Sequence, residues 1–382
     1  MDVLERLGRP PAVAALEGED AVYAVGGAVR DVLLGRRPHE IDFVVEGDAV
    51  AVARRAAERL GGRVTVHERF GTATVEADEA TFDLAGARRE RYPRPGALPE
   101  VELGASLAED LARRDFTVNA IALHLADGAL TAHEGARADL DARRLRVLHD
   151  RSFQDDPTRL LRLARYAARL GFDVEPRTDE LAAAAIAGGA FDTVTGSRLG
   201  AELRLLAREP QPAALAELER HGLGTALLGP GFAVDPDLAA RAVALTPRDG
   251  DPGLAALAAT LVGASGVGAT LDRLGFPAYE RETVAEAAAV TPLRAASDAE
   301  LWRALRRARP EAVAVAGALG DGAAARRWLD DVRGRRLAIT GHDLVAAGLE
   351  GPAVGAGLDA AMEAMLSGRA DGREEQLAAA LA

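Results

Sequence analysis

The feature that most constrains this chain is an apolar run that ends in two glycines and precedes a short helical segment and a second apolar run. The first run is Val22–Val25, the glycines are Gly26 and Gly27, and the second run is Ile41–Val45. Because glycine has no Cβ, adjacent glycines after a strand let the backbone approach a ligand closely. A helix that begins there would point free N–H groups and the positive end of its dipole at phosphate oxygens. The order therefore predicts a strand, a phosphate-binding turn, a helix and a second strand.

The second strand brings acidic residues to this turn. Residues two apart on a strand point to the same face, so Glu40 and Asp42 are expected to project side by side. Two carboxylates beside a phosphate-binding turn are what Mg²⁺-dependent phosphoryl or nucleotidyl transfer requires. The pattern therefore predicts a metal site held by Glu40 and Asp42.

Composition excludes several classes of protein. At 382 residues the chain is too long for one compact core, so two or more domains are expected. It contains no cysteine, which excludes disulfides, thiolate metal ligands and a cysteine nucleophile. The N-terminus is charged, and no segment approaches the roughly 20 apolar residues of a membrane span. A soluble cytoplasmic protein is predicted.

Charge is distributed unevenly along the chain. The formal net charge of −13 argues against a protein that binds nucleic acid over its whole surface. Residues 143–169 nevertheless contain eight arginines and three acidic residues, and residues 303–336 contain nine arginines and four acidic residues. Each stretch is expected to be helical and to present either a basic face to a phosphate backbone or an ordinary solvated surface.

The spacing of apolar residues divides the chain into two parts. Up to residue 146, short β-like runs alternate with helical segments, and beyond it alanine-, leucine- and arginine-rich runs are spaced as in helices. Ser106 and Glu109 form a capping-box pattern at the start of one helix. Strands are predicted at 22–25, 41–45, 63–66, 72–76, 81–84 and 118–125, helices at 49–60 and 106–113, and a proline-broken loop at 91–99.

Several of these segments resemble known motifs. The glycine turn and the acidic pair resemble the polymerase-β-like nucleotidyltransferase superfamily. The run Arg113–Ala120 closely resembles the second motif of the class II family that contains tRNA nucleotidyltransferases (CCA-adding enzymes) and bacterial poly(A) polymerases. Asp155–Arg159 is similar to that family's Glu-Asp-x-x-Arg motif, whereas Glu40-Ile41-Asp42 differs from its usual Asp-x-Asp metal motif.

The resemblance implies a fold and a domain order. It implies an α+β nucleotidyltransferase head, with a mixed sheet and flanking helices, followed by an all-α neck, body and tail. The implied ranges are 1–146 for the catalytic head, 147–210 for the neck that recognises the base, 211–290 for the body and 291–382 for the tRNA-binding tail.

The resemblance also implies roles for individual residues. Glu40, Asp42 and Asp83 would be catalytic, with Glu40 and Asp42 holding Mg²⁺ in a two-metal site. Asp115 and Asn119 would read the ribose. The full set implied to bind the nucleotide is Gly26, Gly27, Arg30, Arg114, Asp115, Asn119, Asp155, Asp156, Arg159, Arg162 and Arg165.

In this family an aspartate and an arginine replace a nucleic-acid template. A carboxylate accepts from the exocyclic amino group of cytosine or adenine, while an arginine donates to a ring nitrogen or carbonyl. On one continuous helix, Asp155 and Asp156 would lie four and three residues before Arg159 and share its face. The alternative is a stabilising salt bridge on a helix surface.

The implied activity is template-independent addition of CCA, or of its terminal A, to the tRNA 3′ end from CTP and ATP. The implied partners are the tRNA acceptor end, ATP and CTP, with no membrane and no DNA. Residues 66–72 resemble the tRNA-specific version, and the loop at 88–99 favours CCA or A addition over CC addition. Two alternatives stay open: poly(A) addition, and a catalytically silent RNA-binding protein in which Glu40 does not support catalysis.

Overall fold

The computed structural model describes residues 3–38, 40–67, 71–209, 213–294 and 296–382. It contains two compact units, unit 1 (Met1–Thr195) and unit 2 (Gly196–Ala382). Residues 68–70 of the predicted tRNA-specific segment lie outside the described residues, as does the implied neck–body boundary at 210–211. The four-part division implied by the resemblance stays a prediction.

Unit 1 is built on a mixed sheet. Its strands lie in the order β3-β4-β5-β2-β1-β8-β9, and β2 pairs with β5 in parallel while the other neighbours are antiparallel. Two further pairs lie outside this sheet, β6 with β7 and β10 with β11. The strands are β1 (Val22–Val25), β2 (Asp42–Val45), β3 (Arg63–His67), β4 (Thr72–Ala77), β5 (Ala80–Gly86), β6 (Arg88–Arg91), β7 (Glu100–Leu103), β8 (Ile121–His124), β9 (Leu130–Ala132), β10 (Arg144–Leu145) and β11 (Asp173–Val174).

Helices flank this sheet and continue beyond it, and short 3₁₀ segments lie at Thr117–Asn119 and Ala190–Thr193. The helices of unit 1 are α1 (Val3–Leu7), α2 (Pro11–Ala15), α3 (Gly27–Leu33), α4 (Ala49–Leu60), α5 (Leu107–Ala112), α6 (Ala136–Asp141), α7 (Ser152–Asp155), α8 (Thr158–Leu170) and α9 (Pro176–Ala187). The predicted fold class, an α+β head followed by helices, is confirmed.

Local signals set the limits of α4 at the predicted residues and those of α5 within one residue of the predicted ones. The side chain of Asp48 accepts from the main-chain N–H of Ala51 at the start of α4, and Gly61 ends that helix in the left-handed region at φ 65°. At the start of α5, Ser106 and Glu109 form the predicted reciprocal capping box. These two helices therefore begin and end where short-range chemistry predicts.

The predicted strand at 118–125 is wrong in its first half. Residues 117–119 form a 3₁₀ turn, and β8 begins only at Ile121. The reason is that the side chain of Asn119 bonds to Asp115 and to Arg30, which holds this segment out of the sheet ladder. The predicted loop that included Arg88–Arg91 also differs, because those residues form β6.

The expectation of one helix across Asp155–Arg159 is wrong. Helix α7 ends at Asp155, and α8 begins at Thr158. Asp156 between them is extended, at φ −134° and ψ 93°. Proline disfavours the helical conformation in the residue before it, so Pro157 interrupts the helix here.

All regular elements that the structure describes in unit 2 are helical. A buried cluster around Trp328, which includes Leu301 and Val313, forms part of its core. No helix among the described residues is long and apolar enough to cross a membrane. The helices are α10 (Gly196–Ala207), α11 (Ala213–Ala216), α12 (Leu223–Leu228), α13 (Pro236–Leu245), α14 (Pro252–Ala259), α15 (Val267–Arg273), α16 (Ala278–Ala288), α17 (Asp298–Leu305), α18 (Pro310–Leu319), α19 (Gly322–Asp330), α20 (Gly341–Ala346), α21 (Pro352–Leu366) and α22 (Arg373–Leu381).

Candidate active site

The glycine turn lies between β1 and α3, as predicted. Gly26 is the N-cap of α3 and has φ 68° and ψ −129°, which disfavours any residue with a Cβ. A Cβ at Gly26 would also lie only 3.0 Å from Nη1 of Arg114. A Cβ at Gly27 would lie 3.5 Å from Nη2 of Arg30. Glycine at the first position therefore lets an arginine lie directly against the backbone.

Sheet register places two of the predicted carboxylates together. In the parallel pairing of β2 with β5, Phe43 lies opposite Leu84. The preceding residues, Asp42 and Asp83, are therefore neighbours, and both are exposed on the face opposite the buried pair. Glu40 is also exposed but precedes the strand, which begins at Asp42, so the predicted arrangement of both residues on one face of a single strand is not formed.

The charges of Glu40 and Asp83 both act on Asp42. Asp42 is open to solvent, yet the protein packed around it removes part of its hydration, and this desolvation raises its pKa. The charge of Arg114 lowers that pKa, while the charges of Asp83 and Glu40 raise it further. The net pKa of Asp42 lies above its ordinary value, chiefly because of desolvation and with a further contribution from the two neighbouring carboxylates.

The donor chemistry of these residues fits a hard divalent cation. Carboxylate oxygens are the ligands Mg²⁺ prefers, and a cation would relieve the repulsion around Asp42. Asp83 accepts a hydrogen bond from Oγ1 of Thr74 at 2.6 Å, which orients its carboxylate. Among the described residues, no three His, Cys, Asp or Glu side chains are already grouped as a metal site.

Arg114 lies between the turn and the carboxylates. Its Nη2 donates to Oδ2 of Asp110 at 3.0 Å, and its Nη1 faces Gly26. Its Nε is buried and has no hydrogen-bond partner within the described ranges. A buried guanidinium donor without a partner costs free energy unless an acceptor is supplied. A phosphate oxygen at the glycine turn would be such an acceptor.

A buried network joins the second motif to α3 and α8. Oδ1 of Asp115 accepts from Nδ2 of Asn119 at 3.0 Å, and its Oδ2 accepts from Nη2 of Arg162 at 2.6 Å. Oδ1 of Asn119 in turn accepts from Nη1 of Arg30 at 2.6 Å. Burial raises the pKa of Asp115, but Arg162 and the hydrogen bond from Asn119 outweigh it and lower the pKa to about 2. The structure thus brings four predicted site residues into one hydrogen-bonded unit.

Tyr166 belongs to this unit, although the sequence pattern did not single it out. Its ring centroid lies 5.4 Å from the Arg30 guanidinium, 5.7 Å from that of Arg162 and 5.1 Å from that of Arg165. It also meets Phe116 edge to face at 5.9 Å. Its position four residues after Arg162 on α8 was the available signal. The aromatic face stabilises three neighbouring cations that would otherwise repel one another.

The predicted base-reading residues lie at the junction of α7 and α8. Arg159 is 5% exposed and donates to Oγ of Ser152 at 2.7 Å and to the carbonyl of Arg113 at 2.8 Å. Oδ1 of Asp156 accepts from Oγ1 of Thr158 at 2.7 Å. Asp155, whose carboxylate lies 3.6 Å from the guanidinium of Arg151, is part-buried.

Tyr92 is a second residue that the sequence pattern missed. Burial raises the pKa of its phenol to about 12, with Arg159 opposing and Glu90 and Asp156 reinforcing the shift. The charges of two predicted base-reading residues, Arg159 and Asp156, therefore act on Tyr92. Its hydroxyl donates to Oε2 of Glu90 at 3.2 Å. The only available signal was the tyrosine's place in the proline-broken loop.

Known proteins resemble both the sequence and the fold. Residues 22–146 match the family model described as the poly(A) polymerase head domain. An A-adding tRNA nucleotidyltransferase from Geobacter sulfurreducens is 46% identical over 212 residues, which are 54% of this chain and 24% of that protein. A solved apo structure of a CCA-adding enzyme has a TM-score of 0.82 and 25% identity, covering 100% of this chain and 98% of that one. Residues 22–146 are therefore similar to the head domain of the tRNA nucleotidyltransferase and poly(A) polymerase family.

Relatives that are named for different products match the chain about equally well. A CC-adding tRNA nucleotidyltransferase from Deinococcus radiodurans is 44% identical over 218 residues, 56% of this chain and 57% of that protein. The chain therefore spans between a quarter and just over half the length of these curated relatives. The glycine turn, the carboxylates and the second motif lie inside the matched head domain, whereas α7 and α8 follow it.

Proposed function

We propose that this protein is a template-independent tRNA nucleotidyltransferase of the cytoplasm. It would add CCA, or its terminal A, to the tRNA 3′ end from CTP and ATP and release pyrophosphate. The observation that carries the proposal is the position of Arg114, whose buried Nε lacks a partner among the described residues beside the glycine turn. The names of the relatives, which add A or CC to tRNA, support the choice of substrate.

In this proposal the head residues bind the triphosphate. Its oxygens would lie against the main chain of Gly26 and Gly27 and accept from Arg114. Arg30 is 2% exposed and bonded to Asp31 and Asn119, so it would hold the glycine turn in place from the protein interior. Its positive charge would stabilise the negative charge of the leaving pyrophosphate.

The carboxylates would act on the other side of the α-phosphate. Asp42 and Asp83, with Glu40 nearby, would hold two Mg²⁺ ions, which supply charge neutralisation of the phosphates and a lower pKa for the 3′-hydroxyl. Asp83 would orient the attacking hydroxyl and accept its proton. In-line displacement would then form the new phosphodiester bond and break the bond to pyrophosphate.

The neighbouring helices would read the base. Asp156 and Arg159 would bind the amino edge that cytosine and adenine share, with Asp155 beside them. Arg162 would act through Asp115, its partner in the buried network, and Arg165 through the face of Tyr166. Asp115 and Asn119 would hold the ribose end of the same pocket.

Binding of tRNA by the helical tail is proposed from the family rather than from the basic stretch. Most arginines of the 303–336 stretch are neutralised by carboxylates, which reduces their attraction to a phosphate backbone. The paired residues are Arg303 with Glu363, Arg306 with Asp359, Arg309 with Glu282, Arg327 with Asp298, Arg333 with Asp249 and Arg335 with Asp331.

The first prediction is the product of a primer-extension assay. Purified protein with Mg²⁺ is given tRNA transcripts that end at the discriminator base, at C or at CC, together with CTP, ATP or both. We expect three additions to the shortest transcript, or a single A added only to the CC transcript, read on a sequencing gel. Addition that stops after CC would overturn the proposed product. Long tails on generic RNA would identify a poly(A) polymerase.

The second prediction concerns Glu40, which lies exposed before β2 and is the residue on which the silent alternative rests. Aspartate there restores the family's usual side-chain length, and a misplacement of about 1 Å costs roughly 100-fold in rate. We expect Glu40→Asp to change the rate of A addition by less than about 10-fold, because the electrostatic coupling to Asp42 already places Glu40 near the site. An inactive parent that becomes active on Glu40→Asp would establish the silent alternative.

A further inference from the structure

A buried carboxylate outside the proposed nucleotide contacts links both ends of the site. Asp110 on α5 is 0% exposed. Its Oδ1 accepts from Nε and Nη2 of Arg113 at 3.0 and 2.7 Å, and its Oδ2 accepts from Nη2 of Arg114 at 3.0 Å. One carboxylate thus orients two consecutive guanidinium groups.

Of these two arginines, Arg114 lies at the phosphate end of the site. With Nη2 held by Asp110, the Arg114 guanidinium presents Nη1 to Gly26 and acts electrostatically on Asp42. An arginine side chain has several freely rotating bonds and loses much conformational entropy when it is fixed. Asp110 fixes it before any nucleotide arrives, which reduces that loss on binding.

The other arginine, Arg113, lies at the base end. Nη1 of Arg113 donates to Oε1 of Glu90 at 2.9 Å, and the other oxygen of Glu90 accepts from the hydroxyl of Tyr92. The carbonyl of Arg113 accepts from Nη2 of Arg159 at 2.8 Å. The side chain of Arg113 therefore holds Tyr92 through Glu90, and its main-chain carbonyl holds Arg159. Both Tyr92 and Arg159 lie at the proposed base pocket.

We propose that Asp110 is a positioning residue that couples the phosphate-binding arginine to the base-reading arginine, so that triphosphate and base are held by one rigid network. This inference rests on the proposed function. It predicts that loss of the Asp110 charge weakens nucleotide binding although Asp110 does not touch the nucleotide. A carboxylate that only stabilised the fold would have no such effect.

The chain offers a matched control for a purely structural carboxylate. Glu19 is 9% exposed and binds two arginines of α4, with Nη2 of Arg59 at 3.0 Å and Nε of Arg55 at 3.1 Å. It precedes β1, whereas the glycine turn follows the opposite end of that strand. Glu19→Gln therefore removes the charge of a comparable ion-pair centre without reaching the site.

The test compares full-length Asp110→Asn and Glu19→Gln. The readouts are KM and kcat for ATP on a tRNA that ends in CC, ATP affinity by calorimetry without tRNA, and the midpoint of thermal unfolding. We expect Asp110→Asn to weaken ATP binding and raise KM by about 10- to 100-fold, and Glu19→Gln to stay within about twofold at a similar loss of thermal stability. Equal ATP affinity in parent and Asp110→Asn would overturn the inference.

A double-mutant cycle keeps the proposal testable if Asp110→Asn alone is poorly folded. In an Arg114→Ala background the positioned group is gone, so Asp110→Asn should cost much less ATP affinity than in the parent. Additive losses would overturn the inference.

Glu90→Gln, at the outer edge of the network, should weaken ATP binding about threefold to tenfold, and no change would contradict the coupling. A parent that neither extends tRNA nor binds ATP would overturn the proposed function and the inference with it.

Discussion

Asp42→Asn is expected to lower the rate of nucleotide addition on the order of 1,000-fold while the protein stays folded. Asparagine has nearly the same shape, and the exposed position requires no repacking. What is lost is one negative charge at the start of β2, beside Asp83 and facing Arg114. The substitution removes carboxylate repulsion, so thermal stability should be unchanged or slightly higher. Single-turnover incorporation of one A into a CC-ending tRNA measures the rate.

The same carboxylate predicts a pH dependence. The pKa of Asp42 lies above its ordinary value, so protonation removes its charge at a higher pH than for an ordinary aspartate. Because protons and Mg²⁺ would compete for this carboxylate, we expect acidification to raise the Mg²⁺ concentration that gives the parent its half-maximal rate, and the residual rate of Asp42→Asn not to share this dependence.

A control separates the site from general surface charge. Asp78 is an exposed aspartate in the turn between β4 and β5, and Asp78→Asn should leave the rate within about twofold of the parent. Full activity in Asp42→Asn would show that the catalytic carboxylates lie elsewhere.

Asp115→Ala is expected to lower the free energy of unfolding by about 3–5 kcal/mol and to abolish ATP binding. The carboxylate is 7% exposed and accepts from Arg162, Asn119 and the main-chain N–H of Phe116. Its removal leaves a guanidinium and an amide without their acceptor in the interior. Urea unfolding followed by circular dichroism, with calorimetric ATP titration, measures both effects.

The contribution of Asp115 to stability should fade in acid. Its pKa is about 2 in the folded protein against 3.8 for an unperturbed aspartate, so the folded state favours the charged form. Because its pKa is lower in the folded state, the Asp115 carboxylate contributes roughly 2 kcal/mol to the free energy of unfolding. This contribution is complete above the pKa of the unfolded state and is lost as the pH falls through about 2. The gap between parent and Asp115→Ala should therefore narrow below about pH 4.

Asp127 provides the comparison for this variant. It is exposed in the turn after β8 and bonded to His124, so Asp127→Ala should change the free energy of unfolding by no more than about 0.5 kcal/mol. A variant Asp115→Ala as stable as the parent at neutral pH would contradict this prediction. It would show that the hydrogen bonds of Asp115 do not hold α8 to the second motif.

Short-range chemistry predicted much of unit 1. The glycine pair ended β1 and began α3 because no other residue accepts the conformation of Gly26 beside Arg114. Helix α4 was predicted to the residue from the spacing of its apolar residues, and the adjacent Asp48 and Gly61 cap it at those limits. The local signal of Pro157 was overlooked. This proline separates α7 from α8, and the single helix expected there does not form.

The sequence by itself determined the residue types of the site, its glycine turn, its second motif and the order of strands and helices, because these depend on neighbours a few positions apart. Only the tertiary structure decided which side chains meet. Asp115 binds Arg162 across 47 positions, and Arg30 binds Asn119 across 89. Sheet register placed Asp83 beside Asp42 and left Glu40 before the strand. The reason is physical: buried ion pairs form between groups that the packed backbone brings within hydrogen-bond distance, and spacing along the chain does not encode that distance.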